Sequence, residues 1–278
     1  MRFIQKIFYK LRSSLMYICR TSVRNQFFNA FIHTPIDYNM VVDNKKILII
    51  GIYLTDYDNL AIHLFEQYAK SKRHQVEQKW IAIGEADIPL ELAKVTIFHS
   101  KEKIPKFKLL NKILEDINVE QYDYIIFSDD DIAIHDNFID IYIDIIEYNS
   151  LRLAQPARAS HSYNVHPIVL QDKNCIARET NFVEIGPIFS LHKSIYFNLL
   201  PFPSNAEMGF GLDFIWPVIA QKNNFKIGII DIVPVDHSYR AQSKTYSSNT
   251  NLQKMNVFLA EHENNAFEEK VVIKKYWK

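Results

Sequence analysis

The run Tyr122-Asp123-Tyr124-Ile125-Ile126-Phe127-Ser128 carries an apolar stretch straight into three consecutive carboxylates, Asp129, Asp130 and Asp131. This junction constrains the fold more than any other feature of the chain. A short, continuous apolar run reads as a strand buried on both faces, and therefore as an interior strand of a sheet covered by helices on either side. Three carboxylates at its end repel one another unless a cation neutralises them. Asp129 and Asp131, one residue apart, can together reach a hard divalent ion such as Mn²⁺ or Mg²⁺, and the same ion can hold a diphosphate. Taken without its surroundings, the triplet reads equally well as an acidic turn before a helix beginning near Asp136.

The surroundings repeat the pattern. Ile47-Leu48-Ile49-Ile50 is another buried strand, followed by a helix with Leu60, Leu64, Phe65 and Tyr68 on one face. Strands are expected over 76–83 and 95–98. Pro105, favoured at a first helical position, opens a helix with Phe107, Leu110, Ile113, Leu114 and Ile117 on one side. A helix from Asp136, a short strand at Leu153-Ala154, a strand over 182–190, a helix over 192–200, a turn and helix over 209–222 and a last strand over 226–236 follow. A helix is expected from about Leu252. Residues 158–180 read as a polar, irregular loop over a site. Strands alternating with helices predict an α/β fold, a three-layer α/β/α sandwich around a mostly parallel sheet. Ligands of such sheets bind beyond the carboxyl ends of the strands, where Asp129 to Asp131 would sit.

Composition fits one such domain. The 278 residues are 48% hydrophobic and 23% charged, and 32 basic residues balance 32 acidic ones, so no global field points to nucleic acid. The imbalance is local. Before Asp37 there is no acid, while Arg2, Lys6, Lys10, Arg12, Arg20 and Arg24 flank an apolar helical stripe of Ile4, Ile7, Phe8, Leu11, Leu15 and Ile18. Such a helix either lies on an anionic membrane surface or packs on the body of the protein. The division expected is a basic amphipathic leader over 1–33, a domain over 45–240, and a polar segment and helix over 241–278. Two cysteines, Cys19 and Cys175, give no disulfide framework, and no apolar run is long enough to span a bilayer. A cytoplasmic location is expected, peripheral to the inner face of the membrane if the leader binds there.

Two further segments carry chemistry. His237, beside Asp236 at the end of the last strand, is a borderline ligand for Mn²⁺ or a structural histidine. Gly209-Phe210-Gly211-Leu212-Asp213 joins flexible glycines to one carboxylate at a helix start, either a general base or a helix cap.

The stretch from Lys106 to Asp131, a basic helix followed by a Tyr-Asp strand and the Asp-x-Asp, resembles the donor-site core of GT-A-fold glycosyltransferases. Further on, Gln155-Pro156, Val183-Glu184, Pro187-Ile188-Phe189-Ser190, Gly211-Leu212-Asp213-Phe214, Gly228-Ile229-Ile230-Asp231 and His237 resemble, in order, a plant-abundant family of unknown function. The resemblance covers roughly Lys45 to Arg240. It implies a metal-dependent glycosyltransferase with a nucleotide-sugar donor and with Asp129, Asp131 and His237 as metal ligands, and a basic leader on a membrane would suit a surface-glycan or lipid-linked acceptor. It implies Asp213 as the base of an inverting transfer, Lys108 as a basic residue facing the donor, and Asp130 beside it. The nucleotide base would lie near the end of the first strand, at Tyr53, Thr55 and Asp56. A phosphohydrolase built on the same aspartates, a non-catalytic nucleotide- or glycan-binding module, and a retaining transferase are the alternatives.

Overall fold

The computed structural model describes residues 42–240, 248–262 and 269–278. The expected leader over 1–33 lies outside these residues. No helix among them is long and apolar enough to cross a membrane.

The sheet has nine strands in the order β3-β2-β1-β4-β7-β5-β8-β6-β9. These are β1 (Lys46–Leu54), β2 (Gln75–Ile83), β3 (Thr96–Ser100), β4 (Tyr124–Ser128), β5 (Leu151–Arg158), β6 (Cys175–Thr180), β7 (Ile188–His192), β8 (Lys226–Val235) and β9 (Val272–Trp277). The pairings of β1 with β2 and β4, β2 with β3, and β5 with β8 are parallel. Antiparallel pairing on both sides of β7 restores one direction across it. Among the described strands only β6 and β7 therefore run against the rest.

The helices are α1 (Ala61–Tyr68), α2 (Lys106–Leu114), α3 (Phe138–Tyr148), the single turn α4 (Tyr196–Leu199), α5 (Leu212–Lys222) and α6 (Ser248–Glu261). Alternation along β1 shows how the layers form. Ile47 and Ile49 enter a core with Leu64 and Tyr68 of α1 and Tyr142 and Ile146 of α3. Leu48 and Ile50 enter another with Phe107 and Leu110 of α2 and Trp216 of α5. Side chains of successive strand residues point to opposite faces, so an unbroken apolar strand requires two helical layers.

The structure departs from the sequence expectation in four places. The strand expected over 182–190 begins only at Ile188, because Pro187 has no N–H for the ladder and Glu184 N–H goes to Gln155 Oε1 instead. The helix expected over 192–200 shrinks to a 3₁₀ turn, Lys193–Ile195, and α4, stopped by extended Leu200 before Pro201. The loop expected over 158–180 contains β6. Its polar Arg178 and Glu179 hid the strand, but Arg178 is buried against Asp231 of β8 with its Nε 2.8 Å from the carboxylate. Finally, the helix α6 is followed by β9, which pairs with β6 and closes that edge.

Candidate active site

Strands β1, β2, β4, β5 and β8 end on the same side of the sheet, and their ends open into one cleft of about 510 Å³. Asp56, Lys106, the three aspartates, Arg158, His166, Glu184, Asp213, His237 and Arg240 all line it.

The aspartates have three different roles because strand-like alternation turns the middle one inward. Asp130, 2% exposed, accepts a hydrogen bond from Leu54 N–H at 2.8 Å, and its carbonyl accepts one from Leu60 N–H at 2.7 Å. It thereby fastens the end of β4 to the loop after β1. Burial pushes its carboxyl up to about 7, against the opposing charge of Arg240, which hydrogen-bonds it. Asp129 faces α2, where Lys106 Nζ lies 2.7 Å from Oδ1. Asp131 faces β8. His237 Nε2 lies 3.2 Å from its Oδ1, and Arg240 Nη2 lies 3.2 Å from its Oδ2. Despite burial, His237 and Arg240 hold this carboxyl below its usual range. A backbone bridge between Ala133 and Asp236 brings the two segments together.

Arg158 ties β5 into the same network. It hydrogen-bonds Glu184, donates to Gly186 O at 2.7 Å and Tyr163 O at 2.9 Å, and contacts His237 Nδ1. A guanidinium can only donate, so Nδ1 accepts and the ring proton sits on Nε2, facing Asp131.

Asp213 stands in the first turn of α5 but is not its cap. Gly211 occupies that position with φ 104°, a conformation glycine adopts without strain, and a Cβ there would lie 2.6 Å from Phe258. Asp213 is 8% exposed, and its Oδ1 is buried with no hydrogen-bond partner among the described residues. Burial first, and then the charge of Glu184, push its carboxyl up to about 7. A carboxyl poised near neutrality in a cleft is suited to proton transfer.

The remaining expected residues separate into neighbours of the cleft and residues elsewhere. Asp56 lines it, but its carboxylate accepts from Glu85 and Ala86 N–H, each at 2.9 Å, and so shapes the loop after β2. Gly84 in that loop has φ 133°, and a Cβ there would strike Thr55 Oγ1 at 2.3 Å. Thr55 is thus packed behind the wall. Tyr53 points into the core, edge-on to Trp80, with its hydroxyl 3.0 Å from Thr96 Oγ1. Lys108 is exposed to solvent outside the cleft, and Lys106 faces Asp129 in its place. Two helical residues subtend about 200°, so the two lysines cannot share a face.

Of the three residues expected to hold a divalent ion, only Asp131 and His237 come together. Their facing atoms are separated by 3.2 Å, the spacing of two neighbouring ligands each about 2.1–2.2 Å from one ion. Coordination at Nε2 requires the ring to shift its proton away from Asp131 and Arg158 to release Nδ1. Asp129, held by Lys106, does not converge with them, and among the described residues no three His, Cys, Asp or Glu gather into a metal-holding group. Water and oxygens of a bound ligand would have to complete the sphere, an arrangement usual for Mg²⁺.

Sequence reasoning assigned no role to Arg158, His166, Glu184 or Arg240. Glu184 stood within a quoted motif, and Arg158 two residues after another. Nothing in the polar run around His166 marked it.

No protein-family model and no curated protein sequence matches the chain. Solved structures share its fold. GalNAc-T7, crystallised with UDP, GalNAc and Mn²⁺, superposes with a TM-score of 0.51 at 10% identity, over 78% of this chain and 49% of its own. S. aureus TarS superposes with a TM-score of 0.52 at 11% identity, over 81% of this chain and 40% of its own. TarS 1–349 in complex with UDP-GlcNAc gives 0.52 at 14% identity, over 81% and 68%. The chain thus spans about half the length of GalNAc-T7 and less of full TarS. Its architecture, with a cleft at the carboxyl ends of the parallel strands, is that of the GT-A glycosyltransferases.

Proposed function

We propose that the protein transfers a sugar from a nucleotide-sugar donor to a hydroxyl of a glycan or lipid-linked acceptor, with inversion. One observation supports this above all: Asp213, a buried carboxylate poised near neutrality, opens into the same cleft as Asp129, Asp131 and the cations Lys106 and Arg240.

In this reading the diphosphate of the donor lies along Asp129 and Asp131, between Lys106 and Arg240. Asp131 and His237 would hold a divalent ion, which when bound supplies charge neutralisation to the departing diphosphate. Lys106 and Arg240 neutralise the aspartates and stand within the cleft, where they would also pair with diphosphate oxygens. Asp56 and Gly84 shape the wall on which the nucleotide base rests. Asp213 accepts the proton of the acceptor hydroxyl as that oxygen bonds to the anomeric carbon. The bond from this carbon to the diphosphate oxygen breaks, and its electron pair leaves with the nucleoside diphosphate. Burial, and after it the charge of Glu184, keep Asp213 basic enough for the step, and Arg158 pairs with Glu184 to hold it in place.

A thermal-shift screen of nucleotide sugars with and without Mn²⁺ tests the reading. A ligand bound only by the native state raises the melting temperature by mass action. At least one nucleotide sugar is expected to stabilise the protein more with Mn²⁺ than without, and Asp131→Asn to remove that difference while the fold persists. No shift with any nucleotide sugar would refute the assignment. Phosphate release from nucleotides without an acceptor would move it to the phosphohydrolases.

A further inference from the structure

One wall of the cleft is built differently from the rest. His166 lies in the excursion between β5 and β6, where its carbonyl accepts from Val169 N–H at 3.1 Å. The excursion is bolted to the sheet. Arg178 donates to Ile168 O at 2.8 Å and Leu170 O at 2.7 Å, and its guanidinium is paired with buried Asp231. Gln171 N–H bonds Arg158 O at 2.9 Å. The imidazole stands edge-on to Phe182 at 4.7 Å and to Phe214 at 6.3 Å, and Lys270 covers both phenyl rings. The ring is therefore held in place before any ligand arrives.

What it faces is Asp213. Nε2 of His166 lies 4.0 Å from Asp213 Oδ2. That distance is too long for a hydrogen bond between them and right for one shared oxygen. An oxygen about 2.8 Å from each atom spans the gap with an angle of about 90° at that oxygen, well suited to a hydroxyl that donates to one side and accepts from the other. Burial, then Lys270 and Arg158, push the imidazole down to about 4, so at neutral pH it is uncharged and carries one N–H.

We propose that His166 grips the acceptor hydroxyl against Asp213, its Nε2–H donating to the oxygen whose proton Asp213 accepts. This rests on the reading of Asp213 as the base. With one lone pair engaged by His166 and the proton directed to Asp213, the remaining lone pair is aimed at the anomeric carbon. The same 4.0 Å gap suits a water molecule, which in the free enzyme would couple the two side chains.

The test uses the full chain and His166→Phe, which retains the edge-on packing against Phe182 and Phe214 but lacks the N–H, and His166→Gln, which restores a donor. The probes are UDP-N-acetylglucosamine with Mn²⁺ as donor, and water and octyl β-glucoside as acceptors. His166→Phe is expected to lower kcat/KM for the acceptor by about 10–100-fold with donor affinity unchanged, and His166→Gln to recover part of the loss. Equal rates for wild type and His166→Phe would overturn the proposal without touching the glycosyltransferase reading. If wild type does not turn this donor over, that choice of donor has failed, and a second measurement decides. The melting-temperature changes of His166→Phe and Asp213→Ala are expected to be non-additive in the double variant, because each removes one of the two anchors of the same oxygen. Strict additivity would overturn the proposal.

Discussion

Replacing Asp213 by Asn is expected to make the protein more stable above neutral pH while it silences transfer. The carboxyl is raised from 3.8 to about 7 in the fold, mainly by burial. As pH rises the unfolded chain therefore loses this proton first, and the native state holds it at a growing disadvantage. The stability the group contributes is full below about pH 4 and is lost as pH climbs toward 7. Relative to a neutral side chain, the cost is about 1.5 kcal/mol at pH 5 and about 4 kcal/mol at pH 8. Asparagine keeps the size and does not titrate. The stability gap between Asp213→Asn and wild type should then widen by about 2.5 kcal/mol between pH 5 and pH 8, or about 5–10 °C in melting temperature. Urea denaturation at the two pH values measures it directly, and transfer should fall by about 10²–10⁴-fold. In wild type, activity should rise with pH through about 7 as Asp213 ionises. A gap that does not change with pH, or an Asn variant less stable throughout, would show that Asp213 is a structural residue with an ordinary carboxyl, and the argument for a poised base would fall.

Two more predictions follow from the site's construction. Lys106→Met should weaken binding of a nucleoside diphosphate about 10-fold in titration calorimetry, because a charge-assisted contact is lost, while Lys108→Met leaves it unchanged. Arg178→Met should destabilise the protein by about 3–5 kcal/mol in urea by leaving Asp231 buried without its partner, and Arg178→Met with Asp231→Leu should recover much of that loss.

The legible parts of this chain were those where one local rule suffices. The apolar run ending in three aspartates placed β4 and its neighbours correctly, and order along the chain was enough to put Asp131 and His237 at strand ends that meet. Lys108 failed because the register of α2, which begins immediately after Pro105, turns Lys106 and not Lys108 toward β4. Tyr53 failed because side chains alternate along β1, and its position falls on the core face beside Trp80. Asp130 was legible only as the middle residue of the triplet, and its burial with the Leu54 N–H and Arg240 shows it as a fastening of the loop after β1. Arg158, Glu184 and His166 were invisible for a different reason. Their partners lie far along the chain, Arg158 bonding Glu184 across 26 residues and His237 across 79, so no local pattern records the pairing.

The pairing of β9 with β6 brings Lys270 to the back of one wall of the cleft. β6 is bracketed by β8 and β9, and Lys270, just before β9, covers the phenyl rings that hold His166. The first strand contributes Leu54 to the same cleft, so its walls join stretches more than two hundred residues apart. A chain still emerging during synthesis carries three mutually repelling aspartates with no Arg240 beside them. The cleft can therefore form only when β1, β4, β5 and β8 have all joined one sheet.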